Sequence, residues 1–339
     1  MITEVEIRNF GAIRDFHSND LKGINLVIGE NASGKTFLLK ALYSAVKSVE
    51  AHNRGDDIKA INEILADKLR WTFQTEKIGD LVTKASNEPL SFRMVLEGMG
   101  FSYSFSKDAS KNIIKYDSEI ENRAENSIFI PAKEVLTLFS VIQRSRQVDM
   151  AFGFDDTYLD LVNALSIAPS KGKNFKAFAD ARETIGELVD GHVEYDESSG
   201  KWIYINNNRQ RYSIGATSEG IKKISIMDRL FANGYLKRGS IIFIDEIESA
   251  LHPRAISEFL DVLYNISRQM DIQIFIASHS YFVIRKLYLL AAINNTDISC
   301  ISFEKAGESE ISNLREGMPK NSIIQESVRL YNEEVDAIL

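Results

Sequence analysis

Gly29-Glu30-Asn31-Ala32-Ser33-Gly34-Lys35-Thr36 is the stretch that decides how this chain is read. It fits G-x-x-x-x-G-K-[ST], a loop whose backbone N–H groups converge on a phosphate at the start of a helix. Its flanks agree. The apolar run Ile24 to Ile28 before it suits a buried strand. After it, Leu38, Leu42, Ala45, Val46 and Val49 recur on one helical face. In this arrangement the loop residues bind the nucleotide, Lys35 reaches its β- and γ-phosphates, and the Thr36 hydroxyl sits on Mg²⁺. ATP and magnesium are therefore the expected ligands. No Asn-Lys-x-Asp segment that would read guanine is present.

The bulk composition sets the outer limits. The chain has 339 residues, 44% of them hydrophobic and 26% charged, which is ordinary for a globular protein. No run approaches the ~18 consecutive apolar residues of a membrane span. The first residues alternate like a strand and lack the apolar core of a signal peptide. Cys300 is the only cysteine, so no internal disulfide or cysteine-based metal site forms. These features lead us to expect a cytoplasmic protein that does not contact membrane. The formal net charge of −8 means that any nucleic-acid contact needs a local basic patch.

Outward from the loop, residues 51–70 read as a polar helix with Ile58, Ile61, Ile64, Leu65 and Leu69 as its stripe. Residues 90–130 alternate like strands and end at Ile128-Phe129-Ile130. Pro131 then fits a first helical position, and the pattern stays helical to about 190. The loop 168–174 is the best linker candidate. Residues 193–214 alternate again, with Trp202, Tyr204 and Tyr212 placed to pack on a sheet face. Ile241 to Ile244 and Ile272 to Ala277 read as strands buried on both faces. Helices are expected at 253–270, 281–293 and from about 321, with strands near 298–303 and 310–314.

Further groups carry chemistry. Asp245-Glu246 follows a buried strand directly, as in a Walker B element. There Asp245 holds Mg²⁺ and Glu246 activates water as general base; the alternative is an acidic turn after a core strand. His279, at the end of the next strand, is a candidate contact to the γ-phosphate. Ser218-Glu219-Gly220 opens a helix and offers a hydroxyl and N–H groups to an anion, or simply caps that helix. Arg144 with Arg146, Lys171 with Lys173 and Lys176, and Lys222 with Lys223 are either solvated faces or phosphate contacts for nucleic acid.

In this order the elements resemble the ABC-type ATPase head, an α/β P-loop NTPase fold with a partly antiparallel sheet. Residues 1–130 and 191–339 are expected to form the head and 131–190 an inserted helical lobe. The segments Ile244 to Pro253, Ile7 to Ile13 and Phe129 to Lys133 are similar to the OLD-like ATPases, a group related to the RecF and SMC heads. The resemblance implies that Ser218, Glu219 and Gly220 form a signature acting in trans, so that two copies sandwich ATP. It also implies a nucleotide-driven switch for a separate effector, a nuclease or toxin, in DNA transactions or phage defence. A lone nucleic-acid-binding ATPase and a transporter subunit are the alternatives. His252 stands at the D-loop position, and Glu219 departs from the usual glycine. The Q-loop glutamine is not placed; Gln143, Lys133 and Glu134 are its candidates. The insertion is too short for a long coiled coil, and no room is expected for a C-terminal nuclease.

Overall fold

The apolar runs around the phosphate loop assemble into one largely parallel sheet. A computed structural model describes residues 1–54, 59–169, 178–304 and 309–338. The strands are β1 (Ile2–Phe10), β2 (Ile13–Ser18), β3 (Ile24–Gly29), β4 (Leu90–Leu96), β5 (Met99–Phe105), β6 (Lys115–Ser118), β7 (Ser127–Ile130), β8 (Gly191–Asp196), β9 (Lys201–Asn206), β10 (Arg211–Ser213), β11 (Ile241–Ile244), β12 (Gln273–Ser278), β13 (Ser299–Phe303) and β14 (Ser309–Asn313). The central sheet runs β14-β13-β3-β12-β11-β7, with only β14 antiparallel. An antiparallel sheet, β2-β1-β4-β5-β6, packs beside it, and β10-β9-β8 forms a small third sheet.

Strands β3, β7, β11 and β12 are buried along their whole length because both faces are covered. Alternate residues divide between two cores. Phe129, Ile241, Phe243 and Phe275 face the antiparallel sheet and helices α1 (Lys35–Ala51) and α2 (Ile61–Phe73). Ile128, Ile130, Ile242, Ile244, Ile274 and Ile276 face the opposite core. That second core is closed by α4 (Asp156–Ser166), α5 (Ala179–Val189), α6 (Glu219–Ala232), α7 (Pro253–Met270) and α8 (Tyr281–Ile293). Truncating one of these buried rings, Phe243 for example, costs about 3–5 kcal/mol through lost transfer energy and a cavity.

The predicted stripe on α1 is buried, but burial reaches well beyond it. Ser44, Ser48 and Glu50 are buried too, because α1 lies between the central sheet and α2. The two serines bond carbonyls of their own helix, Lys40 O at 2.8 Å and Ser44 O at 2.7 Å. Glu50 pairs with Arg123 at 2.8 Å and Lys47 at 3.0 Å. Of the stripe expected before α2, Ile58 lies outside the described residues.

Pro131 does not start a helix. It ends β7, and residues 132–138 are irregular; Thr137 N donates to Glu134 Oε1 at 2.7 Å. The short helix α3 (Phe139–Gln143) follows, continued by a wider turn at Arg144–Val148. Leu161, Val162, Leu165, Ile185 and Val189 of the 131–190 segment belong to the same core as the central strands. Residues 170–177, with most of the expected linker and with Lys171, Lys173 and Lys176, lie outside the described residues. Trp202 and Tyr204 are buried against this core, and Tyr212 is exposed. The last helix, α9 (Ser322–Ile338), has no buried residue.

Candidate nucleotide site

Gly29 ends β3 at φ 148°, where an added Cβ would lie 2.5 Å from the Phe303 carbonyl oxygen. Only glycine lets the chain leave the sheet this close to β13. The loop then carries Ala32 at φ 63° and Gly34 at φ 112° before α1 begins. Left-handed residues among right-handed ones turn successive N–H groups inward, the geometry of an anion nest. Lys35 is buried, and its ammonium donates to Gly29 O at 2.8 Å and Glu30 O at 2.7 Å. Burial lowers its pKa, opposed by the carboxylates of Asp245, Glu246 and Glu248. The Ser33 hydroxyl is buried with no hydrogen-bond partner among the described residues, an orphan that a phosphate oxygen would satisfy.

The Thr36 hydroxyl donates to the Asp245 carboxylate, 2.9 Å from Oδ1 and 3.0 Å from Oδ2. This bond spans 209 positions of sequence and joins the start of α1 to the end of β11. β11 is steered there by its pairing with β7, which continues as Asp245 N to Ile130 O at 2.9 Å. Burial raises the Asp245 pKa, and the Thr36 hydrogen bond opposes the rise. A hydroxyl and a carboxylate side by side are the hard oxygen donors that magnesium takes.

Above the loop lies a cavity of about 420 Å³, within the range of small-molecule sites. Asn31 to Thr36, Lys40, Asp155 and Glu246 line it, and so do Ala12, Phe37, Thr72, Phe73 and Gln74. Glu246 stands at φ 46°, a strained conformation for a residue with a side chain. Its carbonyl accepts from Lys223 Nζ at 2.5 Å, and Asp245 O accepts from the same ammonium at 3.3 Å. Burial pushes Lys223 down to about 8.

Ser218 caps α6; its hydroxyl accepts from Ile221 N at 3.3 Å. It does not line the cavity of its own chain. The Glu219 carboxylate is engaged by Lys222 at 2.8 Å, which balances the charge that replaces glycine. Gly220 is packed so that a Cβ would meet Ala250 O at 3.0 Å. His279 also lies outside the cavity lining. Its N–H donates to Glu248 Oε1 at 2.8 Å and its Nδ1 is 3.3 Å from that oxygen. The other Glu248 oxygen is buried without a partner among the described residues. His252 caps α7.

Among the Q-loop candidates, Lys133 and Glu134 follow β7, the strand beside β11. They line a smaller cavity of about 220 Å³ with Glu219, Lys223, Ser249 and Ala250. Gln143 lines neither of these cavities. Two of the basic groups weighed for nucleic acid are not surface patches. Lys222 and Lys223 are buried and paired within the chain. Arg146 is buried, bonded to Asp156 at 2.7 Å and stacked 4.1 Å from the Trp71 ring; Arg144 is exposed.

Lys40 and Asp155 have no sequence signal that marks them. They are joined at 2.6 Å inside the cavity lining, and they tie α1 to the N-terminus of α4. Asp155 also caps α4, accepting from Thr157 N at 2.8 Å.

Comparison with known proteins agrees with this geometry. The sequence profile of the family described as "AAA domain, putative AbiEii toxin, Type IV TA system" matches residues 24–285, most of the chain. The DNA replication and repair protein RecF of Bacillus cytotoxicus is 27% identical over 154 residues. That match covers 45% of this chain and 37% of RecF, so the chain spans little more than a third of that relative. An SMC head bound to the C-terminal winged-helix domain of ScpA superposes with TM-score 0.56 at 14% identity, covering 92% of this chain and 97% of the head. An SMC head with an extended coiled coil, bound to ScpA from Pyrococcus furiosus, gives 0.50 at 12% identity over 98% of each chain. At these identities the likeness concerns the fold, an ABC-type ATPase head related to RecF and SMC.

Proposed function

We propose that this chain, which belongs to the AAA-domain family whose profile matches residues 24–285, is an ATP-hydrolysing switch whose copies close in pairs around nucleotide. The observation that supports it best is the Thr36–Asp245 hydrogen bond with Glu246 lining the cavity beside it. Residues from two distant segments there supply phosphate binding, metal ligation and a base.

In this reading the loop N–H groups, Ser33 and Lys35 hold the phosphates. Thr36 and Asp245 hold Mg²⁺, which neutralises phosphate charge when bound. Glu246 takes the proton of the attacking water. Its backbone position is fixed by Lys223, so the base is carried by a rigid support. His279, oriented by Glu248, braces the γ-phosphate. Ser218 and Gly220 do not line the cavity of their own chain, and in this reading they complete the site of a second copy. The Glu219–Lys222 pair keeps that face from repelling phosphate. Hydrolysis then releases the pair.

The switch acts on a separate effector, of the nuclease or toxin class, in DNA transactions or phage defence. Support comes by analogy from the RecF relative and from SMC heads that carry ScpA. Direct DNA binding by the chain itself has less support, since Arg146, Lys222 and Lys223 are internal.

Phosphate release tests the catalytic half. Wild type should release phosphate from ATP, while Glu246→Gln and Lys35→Ala should not. Equal release by Glu246→Gln, or none by wild type saturated with ATP and Mg²⁺, would overturn the reading.

A further inference from the structure

We propose that the last turn of α2 reads the nucleotide base, and that Gln74 selects adenine. This rests on the ATPase reading above and names a part of the site that the motifs leave open.

The cavity over the phosphate loop has a second kind of wall. Besides the loop and Glu246, it is lined by Phe37, Thr72, Phe73 and Gln74. The Phe37 and Phe73 rings lie 4.6 Å apart, and both pack on Phe10, at 5.1 Å and 5.5 Å. Phe10 is fully buried, so this aromatic wall is fixed by the core. The turn after β1 closes over it at Gly11, where an added Cβ would lie 2.1 Å from the Phe37 ring. The Phe37 and Phe73 rings are tilted 41° to each other, so they offer a rigid aromatic corner beside the phosphate site, against which a purine ring can pack face-on to one ring and edge-on to the other.

Two polar groups on this wall have no hydrogen-bond partner among the described residues. The Thr72 hydroxyl is buried and unbonded. Gln74 follows α2 at φ 52° and ψ 48°, and its backbone N–H caps the helix by donating to Arg70 O. Its side-chain amide makes no hydrogen bond among the described residues. Glycine fills such a left-handed helix-end position at lower cost, so the side chain is carried there against backbone preference.

The amide matches adenine. It offers one acceptor and one donor, and adenine's N6 amino group and N7 offer the complement. Guanine presents two acceptors on the same edge, so the amide carbonyl would face a carbonyl. A bidentate pair of this kind discriminates by roughly tenfold or more.

The test is calorimetric binding of ATP and GTP to wild type, Gln74→Gly and Gln74→Asn. Both substitutions suit a left-handed residue, so folding is preserved. Wild type should favour ATP by roughly tenfold or more. Gln74→Gly should lose that preference through weaker ATP binding, with GTP affinity unchanged, and Gln74→Asn, which keeps the amide on a shorter stem, should retain more of it than Gln74→Gly. An undiminished ATP:GTP ratio in Gln74→Gly would overturn base reading while leaving the ATPase reading intact. Wild type that binds neither nucleotide would overturn both. Lys35→Ala, which should lose ATP and GTP alike, marks the loss of phosphate binding as a different pattern.

Discussion

Lys223, on the helix that Ser218 caps, donates to the main-chain carbonyl of Glu246 at 2.5 Å. The element expected to face a second copy is thereby joined to the backbone of the residue proposed as general base. Glu246 sits at φ 46°, and a left-handed residue with a side chain persists only where its surroundings hold it. Replacing Lys223 by Met removes the hold without touching the phosphate loop. We expect Lys223→Met to lower kcat roughly tenfold or more by misplacing the base, with ATP affinity within about twofold of wild type. Wild-type turnover in the variant would show that the link has no role.

The same lysine gives a pH dependence. Burial depresses its pKa to about 8 from 10.5. Between those values the folded chain binds fewer protons at this group than the unfolded chain, so stability rises with pH across the window. In nucleotide- and metal-free protein, the stability of wild type relative to Lys223→Met should therefore improve from pH 8 to 10.5. A difference that stays flat in denaturant unfolding over that range would contradict the assignment.

Thr36→Val isolates the proposed metal half of the site. The loss of one hydrogen bond to a buried carboxylate should cost about 1–3 kcal/mol of stability. Nucleotide affinity in EDTA should match wild type, because the loop N–H groups and Lys35 remain. Adding Mg²⁺ should then strengthen binding in wild type and hardly at all in the variant. Equal Mg²⁺ enhancement in both would remove Thr36 from the metal site.

The phosphate loop and the acidic pair after β11 were legible because each depends on neighbours in sequence: strand, loop and helix in one case, strand and carboxylate in the other. Strands β3, β11 and β12 were legible for a related reason, since burial on both faces leaves a continuous apolar run. The remaining contacts depend on the fold. Lys40 meets Asp155 across 115 positions, and nothing local in either segment marks the pair. Lys222 and Lys223 read as a surface patch because basic residues are seldom buried; here carbonyls and a carboxylate receive both. Pro131 fits a helix start as well as a strand end, and only the pairing of β7 with β11 decides between them. Gln74 and Phe73 close a helix far from the loop in sequence and reach the cavity only through the packing of α2 on α1.

Glu50 tests the buried charges around α1. Its carboxylate pairs with Arg123, and both side chains are 1% exposed. Glu50→Ala removes the buried carboxylate shared by Arg123 and Lys47, leaving Arg123 only the more exposed Glu97 at 3.4 Å, and should cost about 3–5 kcal/mol. Lys84→Ala, which breaks a pair 80% and 54% exposed, should cost less than about 0.5 kcal/mol. Denaturant unfolding of the two variants measures both. Comparable losses would mean that the Glu50 network carries no special weight.

The central claim is that nucleotide joins two copies of this chain. Its most direct test is the solution mass of Glu246→Gln, which should bind ATP without turning it over. Without nucleotide the mass should be that of one 38.3 kDa chain, and with ATP and Mg²⁺ it should double. Adding Ser218→Ala should abolish the doubling while leaving ATP binding intact. A mass that stays at one chain, with ATP binding demonstrated in the same sample, would contradict the account.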